Sequence, residues 1–279
     1  MALLSPTLPP ELESQIFEIY ALSRPRSIPR LMLVAKRVKE WMEPLLYRTM
    51  AVGSERPIAG FPSYSGDIVM ATIRDKPPSF FFSAVRNLAT MNFNTYDVEA
   101  VLAACSGVEN LWLPGLKEAW MPLIAALPLK RLCTDCYPIL RALPPTHQVF
   151  SRLTHLELED LITDPEDCNA LATPLSSLPR LTHLSFSLSG LIPLCPRMLE
   201  SCAGLRALVC LNTYAISSYN AHEPALAQDV RFVVMRLPRY VEDWYAGAQS
   251  GADYWSRAET FIAERRAKKR DPFQYVIPE

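Results

Sequence analysis

The sequence predicts an α/β chain with a solenoid at its centre, parallel strands inside and helices outside, an N-terminal helical module, and a helical C-terminal cap. Three observations carry that expectation. A short apolar unit recurs through the middle of the chain, helical stretches fill the intervals, and both ends lose the repeat while keeping a large apolar surplus. A unit that cannot bury its own apolar side must stack on its neighbours, and stacking at a fixed period makes a solenoid.

The recurring unit is apolar-x-x-apolar-x-small/apolar. It begins at Val85, Val108, Leu129, Leu153, Leu181 and Leu205, and more loosely at Val230, with gaps of 23, 21, 24, 28, 24 and 25 residues. Between the units, Val98, Val101, Leu102 and Cys105 fall at helical spacing, as do Trp120, Leu123, Ile124 and Leu127. Ala-Cys-Ser-Gly before Val108 and Ser-Cys-Ala-Gly before Leu205 put Gly107 and Gly204 where a left-handed helix cap is expected. Pro128 and Pro179 end other helices. Over residues 81–237 this pattern resembles leucine-rich-repeat proteins. The turn position that is Asn or Cys in that family holds Phe93, Leu116, Tyr137, Leu161, Ser189 and Thr213 here, so the resemblance implies an irregular solenoid.

Alternation along a strand sets the two faces of the sheet. With Leu156 and Leu158 inward, the other face carries Asn87, Asn110, Trp112, Arg131, Cys133, His155, Glu157, His183 and Ser185. A solenoid presents that face as a concave strip. The candidate contacts to a target protein are therefore Asn110, Trp112, Arg131, His155, Glu157, His183 and Ser185, with Trp112 as an aromatic anchor. His155 and His183 come from a repeated Leu-Thr-His-Leu and are expected side by side on neighbouring strands.

Residues 1–50 read as a separate helical module and 51–80 as a connector. Pro9 and Pro10 start a helix whose broad face holds Leu12, Ile16, Phe17 and Tyr20. After Arg24-Pro25-Arg26 a second stretch carries Leu31, Leu33, Val34, Val38, Trp41, Leu45 and Leu46, too many apolar positions for one stripe. The surplus must meet a partner or the next domain. Leu8-Pro9-Pro10-Glu11-Leu12, Ile16-Phe17, Leu33-Val34 with Lys36-Arg37, and Pro44-Leu45-Leu46-Tyr47-Arg48 together resemble an F-box of the fungal type that precedes leucine-rich repeats. That resemblance implies a non-catalytic substrate receptor of an SCF-type cullin ubiquitin ligase. Leu8, Pro9, Leu12, Ile16, Phe17, Leu31 and Val34 would then contact the ligase adaptor and, through it, the cullin. Two readings stay open beside it: a leucine-rich-repeat scaffold without ligase coupling, and a helical cap that shields the first repeat.

Residues 238–279 place Tyr240, Val241, Trp244 and Tyr245, then Tyr254, Trp255, Ala258, Phe261 and Ile262, at helix spacing, as expected of a cap on the last repeat. The basic run Arg265, Arg266, Lys268, Lys269 and Arg270 suits the negative end of that helix, with a nuclear-import signal as the alternative.

Composition removes several classes of function. Glycines stand at 53, 60, 66, 107, 115, 190, 204, 247 and 251, which leaves no room for a phosphate-cradling loop. Lys and Arg number 28 against 29 Asp and Glu, so no nucleic acid or membrane partner is expected. Pro6, Pro9 and Pro10 break the N-terminal apolar stretch, and the expected location is intracellular, cytoplasmic or nuclear. Seven cysteines in apolar surroundings suit reduced core thiols, and Cys133-Thr-Asp-Cys136 lacks the second ligand pair that zinc needs. With four histidines and no nucleophile-elbow serine, no catalytic constellation, cofactor or metal is expected.

Overall fold

The computed structural model describes residues 8–53, 61–62, 64–91, 95–135, 137–159, 165–186, 189–212 and 224–278. Three helices come first: α1 (Pro10–Ser23), the short α2 (Ile28–Leu31) and α3 (Lys36–Leu46). Among the described residues, eight strands follow in one all-parallel sheet whose spatial order is the chain order. They are β1 (Thr49–Val52), β2 (Asn87–Thr90), β3 (Asn110–Leu113), β4 (Arg131–Thr134), β5 (His155–Leu158), β6 (His183–Phe186), β7 (Ala207–Asn212) and β8 (Phe232–Arg236). Between them run α4 (Gly66–Asp75), α5 (Pro78–Ala84), α6 (Thr95–Ala104), α7 (Met121–Ala125), α8 (Tyr137–Ala142), α9 (Pro165–Ser176), α10 (Cys195–Ser201) and α11 (Pro224–Gln228). Two helices close the chain, α12 (Tyr240–Ser250) and α13 (Tyr254–Arg266). No helix among the described residues is long and apolar enough to cross a membrane.

The repeat unit makes strands because its two apolar positions lie on one side of the sheet. Leu88, Leu111, Leu113, Leu132, Leu156, Leu158, Leu184, Phe186 and Leu208 share one buried cluster with the unit-opening residues Val85, Val108, Leu129, Leu153, Leu181 and Leu205 and with the helices outside. Ahead of each strand from β2 to β7 the same bond pattern recurs, in which one carbonyl accepts two amides of the next unit. Arg48 O accepts from Arg86 N and Asn87 N, Arg86 O from Glu109 N and Asn110 N, and Glu109 O from Lys130 N and Arg131 N. Thus the strand entries stay in step although the helices between them differ in length.

The structure corrects four sequence expectations. β1, α4 and α5 form a full repeat unit where a module end and a connector were expected; Tyr47 and Met50 stand where the later units have Val85 and Leu88, so an aromatic opener hid the match. In the last unit Leu208 pairs with Phe232, one residue earlier than the spacing from Val230 implies. Phe232 and Val234 consequently face the outer helices, and Val233 and Met235 the other side. The helix expected from the spacing of Trp120, Leu123, Ile124 and Leu127 is short, a 3₁₀ turn at Glu118–Trp120 running into α7. Finally, Gly107 and Gly204 are not left-handed; among the described residues the glycines with positive φ are Gly53, Gly115 and Gly251. Gly107 is required by close approach instead, since a Cβ there would lie 2.1 Å from the Phe82 carbonyl oxygen.

The largest departure is at the C-terminus. α12 and α13 do not extend the solenoid as an end cap but fold back across the sheet face opposite the repeat helices. α12 reaches β1, where the Tyr245 hydroxyl accepts from Ala51 N at 2.8 Å, and α13 lies on β7 and β8. The turn between them uses the left-handed Gly251, φ 74°, as the C-cap of α12. Asp243 of α12 then accepts from Tyr254 N at 2.7 Å and Asp253 caps α13 through Ser256 N at 3.0 Å, so both carboxylates fix the start of α13.

Candidate functional site

Two surfaces answer to the sequence candidates, and the structure treats them oppositely. The N-terminal helices have their own small core of Ala21, Ile28, Val38 and Met42, with Phe17, Leu31 and Trp41 packed against it. On α1 the positions facing α3 are Glu13, Phe17 and Ala21. Glu13 takes a bidentate pair of hydrogen bonds from Arg37 at 2.8 and 3.0 Å, and the Arg37 guanidinium lowers its pKa. The opposite side of α1 is apolar and open. Leu8, Leu12, Ile16 and Ile19 are exposed along it, and Leu33 and Val34 are exposed in the turn between α2 and α3. Leu33 is 86% exposed, Ile19 70% and Ile16 55%, values ordinary for lysines and unusual for a row of aliphatic side chains.

Of the candidate adaptor contacts, then, Leu8, Pro9, Leu12, Ile16 and Val34 are exposed, whereas Phe17 and Leu31 are half-buried against the module's core. The sequence reading did not include Ile19 and Leu33 among the site residues. Ile19 follows Ile16 by one helical turn and was legible by spacing; Leu33 lies in a turn, where periodicity says nothing.

The candidate target strip behaves differently. The face assignment holds: Leu156 and Leu158 point to the outer helices, and Trp112, Cys133, His155, Glu157 and His183 to the other side. The expected exposure does not. Trp112, Glu157, His183 and Ser185 are buried, and Asn110, Arg131 and His155 partly so. The reason is α12 and α13. Trp112 packs edge-on against Tyr240 at a ring separation of 4.6 Å, and its Nε1 donates to Glu159 at 3.2 Å. Glu157 accepts from the Tyr240 and Tyr254 hydroxyls at 2.5 and 2.8 Å, and the Ser185 hydroxyl lies 2.8 Å from that of Tyr254. Burial first, and then the neighbouring negative charge, hold both phenols well above their ordinary pKa, so they remain neutral donors. Arg131 pairs with Asp253 at 2.6 Å.

This covered face is a second core. Tyr254, Trp255, Ala258, Phe261 and Ile262 pack on Ala207, Val209, Leu211, Val233 and Met235, and Trp244 and Tyr245 pack on Ala51, Ala89, Trp112 and Cys133. Each large side chain so buried contributes on the order of 2 kcal/mol. Most of its polar groups are engaged with one another, although the Trp244 Nε1 is buried without a hydrogen-bond partner among the described residues, and no group of three or more His, Cys, Asp or Glu among them is placed to hold a metal ion. Cys105, Cys133, Cys195, Cys202 and Cys210 are buried thiols; Cys136 and the side chain of Cys168 lie outside the described residues.

No protein-family model matches the chain, and no curated protein matches it.

Proposed function

We propose that this chain is a non-catalytic substrate receptor that docks on the adaptor of an SCF-type cullin ubiquitin ligase through its N-terminal helices and holds a target for modification by other subunits. The observation that carries the reading is the open aliphatic row of Leu8, Leu12, Ile16, Ile19, Leu33 and Val34 on a module that has already satisfied its own core. A cap for the first repeat would turn that row inward. Here the module joins the solenoid by its other side, through α3 against α5 and the Lys76–Glu43 ion pair at 2.7 Å. The F-box resemblance names the partner that such a row fits. With α12 and α13 seated, Trp112, Glu157, His183 and Ser185 are not available to a target, which must then contact the solenoid elsewhere.

The test is capture of purified ligase adaptor by the full chain. Wild type is expected to bind, and Ile16→Asp or Leu33→Asp to weaken binding about a hundredfold or more with an unchanged circular dichroism spectrum, because a carboxylate has no partner in a desolvated apolar interface. Failure of the wild type to bind, or full binding by both variants, would overturn the assignment.

A further inference from the structure

The repeated Leu-Thr-His-Leu puts two imidazoles in one place. His155 and His183 stack with ring centroids 4.0 Å apart and planes 1° from parallel, and the Trp255 ring of α13 covers both edge-on at 5.3 and 5.5 Å. Each Nδ1 lies 2.8 Å from the hydroxyl of the preceding threonine, Thr154 or Thr182. His183 Nε2 faces Glu259 of α13 at 3.1 Å; a carboxylate only accepts, so this nitrogen carries a proton, and in the neutral ring Nδ1 is an acceptor that competes for the one Thr182 hydroxyl proton with the Thr154 carbonyl, 3.1 Å from that hydroxyl. The remaining charges around the pair are cationic or already paired. Arg131 comes from β4 and is tied to Asp253 at the start of α13, Arg206 enters from the residue before β7 and shares Glu259 at 2.9 Å, and Glu157 of β5 is held by Tyr240 and Tyr254.

We propose that this histidine pair makes the seating of α13 sensitive to protons, so that mild acid favours release of α13 and uncovers the strip from Arg131 to Ser185. The closed pair accepts at most one additional proton, because two imidazolium rings 4.0 Å apart beside Arg131 and Arg206 repel one another. Burial, then the neighbouring His183, Arg131 and Arg206, lower the pKa of His155 to about 2, and burial also lowers that of His183 against the opposing pull of Glu259. Once α13 lifts, both rings reach water and titrate near the ordinary value of about 6.5. The open state therefore binds more protons than the closed one below that pH, and acid shifts the balance toward it. Between pH 7.5 and 5.5 the shift is about tenfold for one histidine held neutral and about a hundredfold for two. This inference concerns how the strip is covered and does not depend on adaptor docking.

Hydrogen exchange of the full chain, corrected for the intrinsic pH dependence of amide exchange, reads the opening. Protection of residues 254–266 is expected to fall about 10- to 100-fold from pH 7.5 to 5.5, while β2 and β3 change by less than about threefold. In the double variant His155→Gln/His183→Gln the fall should shrink to that of β2 and β3. In the wild type, the NMR signal of the His155 ring should stay unshifted across the same range. Constant protection of α13, an equal fall in β2 and β3, retention of the fall in the double variant, or titration of His155 near pH 6.5 in the native protein would each overturn the proposal. The two wild-type readouts decide the matter even if the double variant does not fold.

Discussion

At the scale of single residues, the side chains with most effect are those whose surroundings contradict their type. Arg265 is almost fully buried, and its guanidinium donates to the carbonyls of Ala227, Val230, Phe232 and Pro272 at 2.5 to 3.1 Å. It ties α11, β8 and the C-terminal tail to α13. In the sequence it is the first of five basic residues in six, and nothing in that run marks it as different from Arg266 or Lys268; only the fold's closure on itself does. Arg265→Ala leaves several buried carbonyls without a donor and should lower stability by about 3 to 5 kcal/mol in urea unfolding. Arg266→Ala should change it by less than about 0.5 kcal/mol. Trp112 carries the reverse lesson. The sequence makes it an interface anchor, but Tyr240 and Trp244 already fill that role from within the chain. Trp112→Ala should therefore cost about 3 to 5 kcal/mol of folding stability, measured by chemical denaturation with no target present.

At the scale of elements, one face of each was legible and the other was not. Strand faces followed from Leu156 and Leu158 because period-two alternation is strict and His155 and Glu157 alternate with them. Alternation gave no guide in β8, Phe-Val-Val-Met-Arg, since outer helices cover one side and α13 the other; both faces are apolar and the register slips by one without any sequence cost. Likewise β1 was hidden by Tyr47. On α1, adjacent positions separate the two roles. Ile16 is open and Phe17 packs on the module's core. Ile16→Asp should leave the thermal midpoint within about 2 °C of wild type, whereas Phe17→Asp should melt the helical module by burying an unpaired charge. Calorimetry separates them. Equal destabilisation by both would mean that the row on α1 is packed against the protein rather than open.

At the scale of the whole molecule, the chain is a sheet covered on both sides, which a solenoid read from its repeats alone does not anticipate. The repeats account for the outer side, and residues 238–278 supply the inner one. What hid this was that a cap on the last repeat and a strap across the sheet require the same aromatic-rich amphipathic helices; the difference lies in where they turn, at Gly251, and in distant partners such as Ala51 and Asp253 with Arg131. A consequence follows for cooperativity. If α12 and α13 are half of the sheet's burial, the repeats cannot fold as an independent unit. A chain ending at residue 238 would expose the apolar strand positions Ala207, Val209, Leu211, Val233 and Met235 to water, beside His183 and Ser185 on the same face. It should lose its cooperative thermal transition, keep much of its helical circular dichroism signal and bind a hydrophobic dye strongly. The comparison that decides between a strap and an end cap is regional. Loss of an end cap frays β8 first and spares β1 to β3, whereas loss of the strap should strip hydrogen-exchange protection from β1 as well, because Tyr245 and Trp244 pack on Ala51 and Ala89 at the far edge of the same sheet.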